Sequence, residues 1–460
     1  MDNKNNRSSF GGSIGIMMGV LAVVGILGSF VWLPSLMPVI FPPQASAEAK
    51  NTDELFKVLL ILGGVVFFLI QGLLVISVIA FRKPANDNTD GPANHGNMTL
   101  EIVWTIIPAM VVTFLAILSF NVWTQNTDPK ADVNMIDGDP ITINAVGARY
   151  AWTHTYETNE LDPDGNPYVL NTGTDLHVYV GQNVLLTLQT QDVLHSYWVP
   201  AMRVKQDLLP GDPNNGGRPT ELRFTVTELD EADERIVWNE NDQAVFPIVC
   251  AELCGDGHSR MRGTVIVHKD LDAYVEEFYD VEIDKIKNPP PDPVLRGETA
   301  IQTYACQGCH LLSDLGWTGI TGPSLDGIAD RAGKRVGGQS AEEYLVTSIW
   351  NSGAYLVPGY QNLMPVFGAD QPGANLMTGE QLYSIVAYLC TQGEASTCDN
   401  ENNMTAIPDA INNVFGVEVD GTFGLDASAT SAKATAEPDA EATAEVTAEP
   451  DAEATAEAGD

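Results

Sequence analysis

Two stretches, about Leu55 to Phe81 and Ile102 to Trp123, are apolar, with Lys57 and Gln71 the breaks in the first. Each reaches the ~20 residues that a membrane span needs. Hydrocarbon offers backbone N–H and C=O groups no partner, so both stretches are restricted to helix. Soluble core helices are the alternative, and the length of both runs counts against them. Arg82 and Lys83 follow the first run directly, and positive charge marks a cytoplasmic end. The second run then recrosses and leaves everything after Asn126 outside. Pro108 falls within it, where neighbouring helices can satisfy the carbonyl it frees. Upstream lie Lys4, Arg7, an apolar run from about Ile14 to Leu33, and Ala45-Ser46-Ala47 before Glu48. Residues 1–47 therefore read as a signal peptide with a small-residue cleavage site or as an extra transmembrane helix. Both readings put Glu48 outside.

The 460 residues have room for two or three domains. A formal charge of −38, from 23 basic and 61 acidic residues, excludes nucleic acid as a partner and suits a basic partner steered by the field. Part of that charge is tail: residues 431–460 carry nine acids and one lysine. Thr-Ala-Glu-Pro-Asp-Ala-Glu recurs there at Thr435 and Thr447. Residues 401–460 are read as a low-complexity acidic tail that buries too little apolar area to order itself.

From about Ile141 to Val267 the pattern changes to short alternating runs, such as Val184 to Leu188 and Phe224 to Val226, separated by Gly, Pro, Asn and Asp. That pattern reads as a β-sandwich, with the chemistry on loops at one end. The stretch Gly211 to Arg218 is an unusually glycine-rich interruption. Asn288-Pro-Pro-Pro-Asp-Pro293 is a polyproline-like spacer, semi-rigid at ~3.1 Å per residue. Cys306-Gln-Gly-Cys309-His310 follows, expected inside a helix beginning near Glu298. C-x-x-C-H is the attachment signal for c-type haem.

The six cysteines fall into three pairs. Cys390 and Cys398 have no His or Met beside them, and a disulfide fits the oxidising side of a membrane. Cys250 and Cys254 stand in a different company: Cys250-Ala-Glu-Leu-Cys254-Gly-Asp-Gly-His258-Ser-Arg-Met261 packs two thiols, an imidazole and a thioether into one segment. This soft donor set points to an electron-transfer copper. The plainer alternatives are a structural zinc or a disulfide. Zinc sites usually draw on two close pairs and a second pair is missing, while a disulfide leaves His258 and Met261 unexplained. His195 is the best-placed second imidazole. His154, His177 and His268 have no ligand company and are read as surface or satisfied strand residues.

C-x-E-x-C-G-x-x-H-x-x-M, preceded by D-V-x-H-S, resembles the binuclear copper A domain of cytochrome c oxidase subunit II. The stretch from His95 to Pro108 resembles that family's passage into its second transmembrane helix. The resemblance implies a cupredoxin-like fold in which Cys250 and Cys254 bridge two coppers. His195 and Met261 complete one ion, and His258 with the Glu252 carbonyl completes the other. The Glu252 carboxylate reaches a magnesium or manganese ion at the boundary with subunit I. The segment containing Tyr150, Trp152 and Tyr156 resembles the aromatic stretch over copper A. Tyr150 stands where the family commonly has a Trp through which electrons come in, and alternation puts all three aromatics on one strand face. C-x-x-C-H, Thr321-Gly-Pro-Ser-Leu325 and Leu363-Met364-Pro365 resemble a small cytochrome c. By that resemblance Cys306 and Cys309 carry haem c, His310 is one axial ligand and Met364 the other, with Met377 the competing thioether. Thr378 to Leu389 resembles that fold's C-terminal helix.

The order of parts is similar to a caa-type haem–copper oxidase subunit II. The expected architecture is a transmembrane helical hairpin (48–130), a cupredoxin-like beta sandwich (131–283), a Pro-rich linker (284–295), an all-alpha cytochrome c domain (296–400) and a disordered acidic tail. The implied activity is relay of electrons from haem c to copper A and on to the haem of catalytic subunit I, where oxygen is reduced to water. Partners are subunit I, other oxidase subunits and an upstream cytochrome, cupredoxin or quinol-oxidising complex. The expected location is the bacterial plasma membrane, multi-pass, with soluble domains outside. Two alternatives are the same relay serving a nitric oxide reductase and a non-enzymatic membrane copper-binding protein. The metal of the catalytic subunit separates the first, and the haem segment argues against the second.

Overall fold

The computed structural model describes residues 5–80, 96–127, 141–163, 165–211, 219–365, 367, 377–398 and 403–415. Arg82, Lys83, residues 212–218 of the glycine-rich stretch and residues 416–460 of the tail lie outside them. The chain begins with α1 (Asn5–Ser29), α2 (Trp32–Ser35), α3 (Met37–Ile40), α4 (Ala47–Ala80) and α5 (Met98–Thr127). α4 and α5 contain the two predicted runs and are long and apolar enough to cross a membrane. Gly19–Ser29 with Trp32–Ile40 makes a third candidate, bent by 51°. Pro108 is inside α5. Large apolar side chains such as Leu73 and Ile107 remain exposed along α4 and α5, a surface suited to lipid. α1 lies close on α4: a Cβ at Gly72 would come within 2.5 Å of Ala22, the small-residue contact through which membrane helices approach.

The Ala45-Ser46-Ala47 stretch is where α4 meets the sandwich. The Ser46 hydroxyl accepts the Ala49 N–H at 3.1 Å and donates to the Met202 carbonyl at 2.9 Å. The Glu48 carboxylate accepts the Thr225 N–H at 3.0 Å. Arg203 grips Asp53 with two hydrogen bonds of 2.9 Å and donates to the Pro42 carbonyl at 2.8 Å. Bidentate geometry of this kind fixes direction as well as distance, so the sandwich stands in one orientation on its anchor.

The sandwich comprises β1 (Ile141–Ala148), β2 (Ala151–Leu161), β3 (Pro167–Asn171), β4 (Asp175–Tyr179), β5 (Asn183–Thr190), β6 (His195–Val199), β7 (Val204–Leu208), β8 (Thr220–Thr225), β9 (Val237–Trp238), β10 (Ala244–Cys250) and β11 (Arg262–His268). One sheet runs β3-β2-β1-β5-β8 and the other β4-β11-β10-β6-β7, with β9 beside β10. β1 pairs in parallel with β5, and β4 with β11. Val184, Leu186 and Leu188 are buried while the residues between them are not, the period of two expected for a half-buried strand. Facing side chains such as Ile143, Leu186, Phe224, Leu176, Ile248 and Val265 fill the space between the sheets.

α6 (Leu271–Tyr274), a π turn at Val275–Tyr279 and α7 (Asp280–Lys287) close the sandwich, so this part runs past the expected boundary at residue 283. The spacer shrinks to 288–292. Asp292 accepts the Val294 N–H at 2.9 Å and caps α8 (Pro293–Thr303), with Pro293 at the position where its missing N–H costs nothing. The helix therefore begins earlier than Glu298. It also ends before the C-x-x-C-H segment, which occupies a 3₁₀ turn at Cys306–Gly308, because Ala305 takes a left-handed φ of 54°. β12 (Leu311–Leu312) pairs with β13 (Trp317–Thr318), so the unit is not purely helical. α9 (Ala341–Trp350) and α10 (Gly379–Leu389) each open on a capping box. Cys390 and Cys398 are joined, with Cα atoms 5.8 Å apart.

α11 (Asn403–Phe415) corrects the reading of residues 401–460 as wholly unstructured. Ile407, Ala410 and Ile411 are buried in the same core as α9 and α10, with Val414 packed at its edge. Their spacing is one helical stripe. The acidic repeat begins only after that stripe.

Candidate copper centre and haem cleft

His195 and Cys250 were expected on loops, but the ladder places them at strand ends. His195 opens β6, Cys250 closes β10, and Cys250 pairs with Tyr197 in the antiparallel register. Two long-range strands thus deliver an imidazole and a thiol to one end of the sandwich. Cys254 and His258 come from the loop that follows, and Met261 from the edge of β11. Cys250 and Cys254 sulfurs are 3.9 Å apart, within the ~4.6 Å that two bonds of ~2.3 Å to one ion allow. His195 Nδ1 lies 3.9 Å from the Cys250 sulfur and the Glu252 carbonyl oxygen 3.2 Å from it. Around Cys254 stand His258 Nδ1 at 3.6 Å and Met261 Sδ at 3.9 Å. Four neutral donors therefore surround the sulfur pair, six donors in all, with His195 and both thiols close enough to share one ion. This donor set fits copper.

The electrostatics prepare it. The thiol of Cys254 hydrogen-bonds to the Cys250 sulfur, and with His195 and backbone N–H groups it outweighs burial and holds Cys250 far below the usual thiol range. His195 donates from Nε2 to Asp192 at 2.8 Å, leaving Nδ1 as the ligand atom. Burial alone would raise Asp192, but hydrogen bonds from His195 and from Arg149 backbone and side chain bring it down to about 2. Asp192 and Arg149 are functional residues that the sequence reading passed over. The signal was there in D-V-x-H, an acid three residues before a ligand His, and outer partners of this type orient metal ligands. His154, by contrast, is fully buried in the core with Nδ1 3.0 Å from the Gly173 carbonyl and Nε2 2.9 Å from the Tyr197 hydroxyl. His177 and His268 pair at 3.1 Å. All three are partnered strand residues, none on the open surface.

Cys306, Cys309 and His310 line a second site, a cleft in the C-terminal unit. His310 Nδ1 donates to the Pro323 carbonyl at 2.6 Å, which leaves Nε2 without that proton and able to act as a donor to a metal. The Thr321 to Leu325 loop thus backs the imidazole as the sequence suggested. Met364 and Met377 both line the cleft, and its other walls are largely apolar: Ile301, Leu325, Ile328, Leu345, Ile349 and Phe367. Burial pushes Cys306 up to about 12 and raises Cys309. The two cysteine pairs therefore differ in kind. In the first, Cys250 is lowered while the same hydrogen bond raises Cys254, so the pair shares one proton; in the second both thiols are raised, in an apolar cleft whose donor set suits a covalently held haem.

Tyr150 joins the two sites. It was expected on a strand face with Trp152 and Tyr156, but it sits in the turn between β1 and β2. Its ring lies over the copper loop so closely that a Cβ at Gly257 would fall 2.2 Å from it. On its other side a Cβ at Gly308 would be 3.1 Å from the Tyr150 carbonyl oxygen. The Cys309 sulfur is 3.7 Å from the Arg149 carbonyl oxygen, and Arg260 donates to the Thr321 hydroxyl at 3.3 Å. Trp152 and Tyr156 are core residues. Trp152 nevertheless stands edge-on to His195 with ring centres 6.0 Å apart.

A membrane-anchored β-sandwich with a thiolate-rich copper site at one end is a cupredoxin-like electron-transfer domain held at a membrane surface. Residues 34–122 match the family described as cytochrome c oxidase subunit II, transmembrane domain, and residues 141–218 match cytochrome c oxidase subunit II, periplasmic domain. Cytochrome c oxidase subunit 2 of Thermostichus vulcanus is 30% identical over 303 residues, covering 56% of this chain and 82% of that one. The subunit 2 of Alkalihalophilus pseudofirmus is 27% identical over 350 residues, 75% of this chain and 87% of that one. Among solved structures, the periplasmic domain of subunit II of cytochrome oxidase of Bradyrhizobium japonicum covers 33% of this chain and 99% of its own, with 21% identity and a TM-score of 0.24. The chain belongs to the cytochrome c oxidase subunit II family. It is a membrane-anchored subunit of a haem–copper oxidase that works with subunit I, and its copper-binding domain is periplasmic.

Proposed function

We propose that this subunit carries its own electron donor to copper A. In this reading Cys306 and Cys309 would hold haem c covalently, and His310 and Met364 would ligate its iron. Cys250, Cys254, His195, His258, Met261 and the Glu252 carbonyl hold the binuclear copper. The bound groups supply two one-electron centres. The chain supplies what they need around them: Asp192 fixes the His195 ring, Pro323 fixes the His310 ring, and the apolar walls of the cleft exclude water. The observation that carries the reading is the seat of the Cys309 edge on Arg149 and Tyr150, directly over the copper loop. An upstream donor then meets the C-terminal unit, because Tyr150 is covered by it. The carboxylate of Glu252 is half-buried beside the copper donors, and we assign it to a magnesium or manganese ion at the subunit I boundary, a hard ligand for a hard ion.

The test is a combined visible and EPR spectrum of the purified oxidase. The expected result is a covalent haem c band together with the multi-line signal of an electron shared between two coppers. A preparation with full copper and no covalent haem on this subunit would overturn the relay.

A further inference from the structure

A cation crosses from the copper loop to the C-terminal unit. Arg260 stands between His258 and Met261 at the end of a 3₁₀ turn, His258–Arg260. Its backbone is fixed there: its N–H donates to the Gly257 carbonyl at 2.9 Å, and the Met261 N–H to the His258 carbonyl at 3.2 Å. The guanidinium leaves the turn and donates to the Thr321 hydroxyl at 3.3 Å. Thr321 opens the loop that backs His310. The next residue, Gly322, donates its N–H to the Cys309 carbonyl at 2.8 Å, and Pro323 accepts from the His310 ring. The charge of Arg260 also reaches Cys309, where it works against the burial that raises that thiol. Backbone makes the other contacts of this seam. Gly308 lies against the Tyr150 carbonyl, and at the far end Gly173, at a φ of +58°, meets the Thr303 carbonyl so closely that a Cβ would be 2.9 Å from it. Arg149 is at the seam as well, but its side chain is committed to Asp192. Both units are acidic. Residues 141–287 carry 25 acids against 11 lysines and arginines, and residues 293–398 carry nine against four, so their net charges repel and a cation at the seam is the complement.

We infer that Arg260 is a positioning residue for electron transfer between the two sites, setting the register in which the C-terminal unit seats on the copper loop. The inference rests on the haem reading above. The spacer keeps the unit near, and nearness alone does not choose an orientation. Glycine against backbone fixes how closely the units approach and leaves them free to slide. The Arg260–Thr321 bond removes that freedom, because it joins the turn carrying His258 and Met261 to the loop that holds His310. A planar guanidinium with donors in a rigid fork does this better than the flexible ammonium of lysine. Arg260 is a ligand of neither centre in this reading, so it acts through their separation and relative orientation, on which the transfer rate depends steeply.

The test is the rate of haem c to copper A transfer, by flash photolysis, in the full-length chain within the assembled oxidase. Parent is compared with Arg260→Gln, Arg260→Lys, Thr321→Val, the double variant Arg260→Gln with Thr321→Val, and Arg262→Gln. Arg262 is the control, an exposed cation two residues on whose Nε donates to the Ser259 carbonyl of its own loop at 3.3 Å. The pyridine haemochrome and the copper A EPR signal are recorded first on every sample. The expected result is transfer slowed about fivefold in Arg260→Gln and in Thr321→Val, the weight of one hydrogen bond from a charged donor at an exposed position. The double variant should be no slower than either single one, since both remove the same contact. Arg260→Lys should lie between Arg260→Gln and the parent, and Arg262→Gln should match the parent. A parental rate in Arg260→Gln with both spectra intact overturns the inference. So does a double variant slowed by the product of the two single effects. Equal slowing in Arg262→Gln also overturns it, because the effect would then be one of net charge. A parent without covalent haem overturns the underlying haem reading instead, and the haemochrome reports that before any rate is taken.

Discussion

Cys250 stands at the point where the two donor groups meet: the Cys254 sulfur is 3.9 Å away, His195 Nδ1 3.9 Å and the Glu252 carbonyl 3.2 Å. A hydroxyl in its place keeps the size and loses the soft, easily ionised donor that copper selects. Cys250→Ser or Cys254→Ser is therefore expected to abolish the shared-electron EPR signal while haem c absorbance stays at the parental level. Copper analysis and EPR on the same sample check this, and unchanged copper content with an unchanged signal would refute the bridging role. Glu252 separates backbone from side chain. Glu252→Gln leaves the carbonyl where it is and removes the charge, so copper should be retained while manganese binding falls by at least tenfold in a titration. Full manganese occupancy in that variant would end the assignment. Asp192 shows why the residue scale was only partly legible. Residue types and spacing picked out the proposed ligands, but the partner that aims His195 emerges only once the turn after β5 has folded back.

At the scale of single elements, β2 carries a buried histidine whose hydrogen bonds suit the neutral ring. Burial lowers His154 to about 4 despite the Gly173 carbonyl that works the other way. Its unfolded value is near 6.5, so between these two pH values the unfolded chain binds a proton that the native domain refuses, and stability falls as pH falls. Each pH unit in that interval is worth ~1.4 kcal/mol, so His154 alone withdraws on the order of 3 kcal/mol by pH 4. His177, lowered by burial and then by His268 to about 3, extends the loss to lower pH. The thermal midpoint of the detergent-solubilised chain should therefore drop from pH 6.5 downward, with a shallower fall in His154→Gln. Parallel acid limbs in parent and variant would contradict this. Elements with a strong local period, such as β5 or the two long apolar helices, could be read directly from the sequence. α11 could not: Ile407, Ala410 and Ile411 are sparse apolar positions around Pro408, and their helix gains its stability from α9 and α10. The limits of α8 were missed for a related reason, since a capping Asp292 and a left-handed Ala305 are single-residue events inside a stretch of mixed composition.

The whole molecule adds what neither residues nor elements contain, the relative seating of its parts. Arg203 and Glu48 fix the sandwich to its anchor, the Lys287–Glu160 pair ties the closing helix α7 to β2, and Arg260 and Gly308 seat the C-terminal unit against the copper end of the sandwich. The short spacer then keeps that unit close even when it lifts, so rebinding is intramolecular and needs little affinity. Tyr150 is the residue that both sides touch, its ring on the Gly255 to Gly257 turn of the copper loop and its carbonyl against Gly308. Removing the ring opens a gap between Cys309 and the copper donors without touching a ligand of either site. Tyr150→Ala is thus expected to slow haem c to copper A transfer at least tenfold in flash photolysis, with both cofactor spectra intact. Trp152 differs, because it is fully enclosed in the sandwich core. Trp152→Ala should cost ~3–5 kcal/mol of domain stability and change transfer less in the fraction that remains folded. Equal transfer rates in Tyr150→Ala and parent would take Tyr150 off the path and leave Arg149, whose carbonyl faces Cys309 and whose N–H and Nε donate to the Asp192 carboxylate beside His195, as the remaining bridge between the two centres.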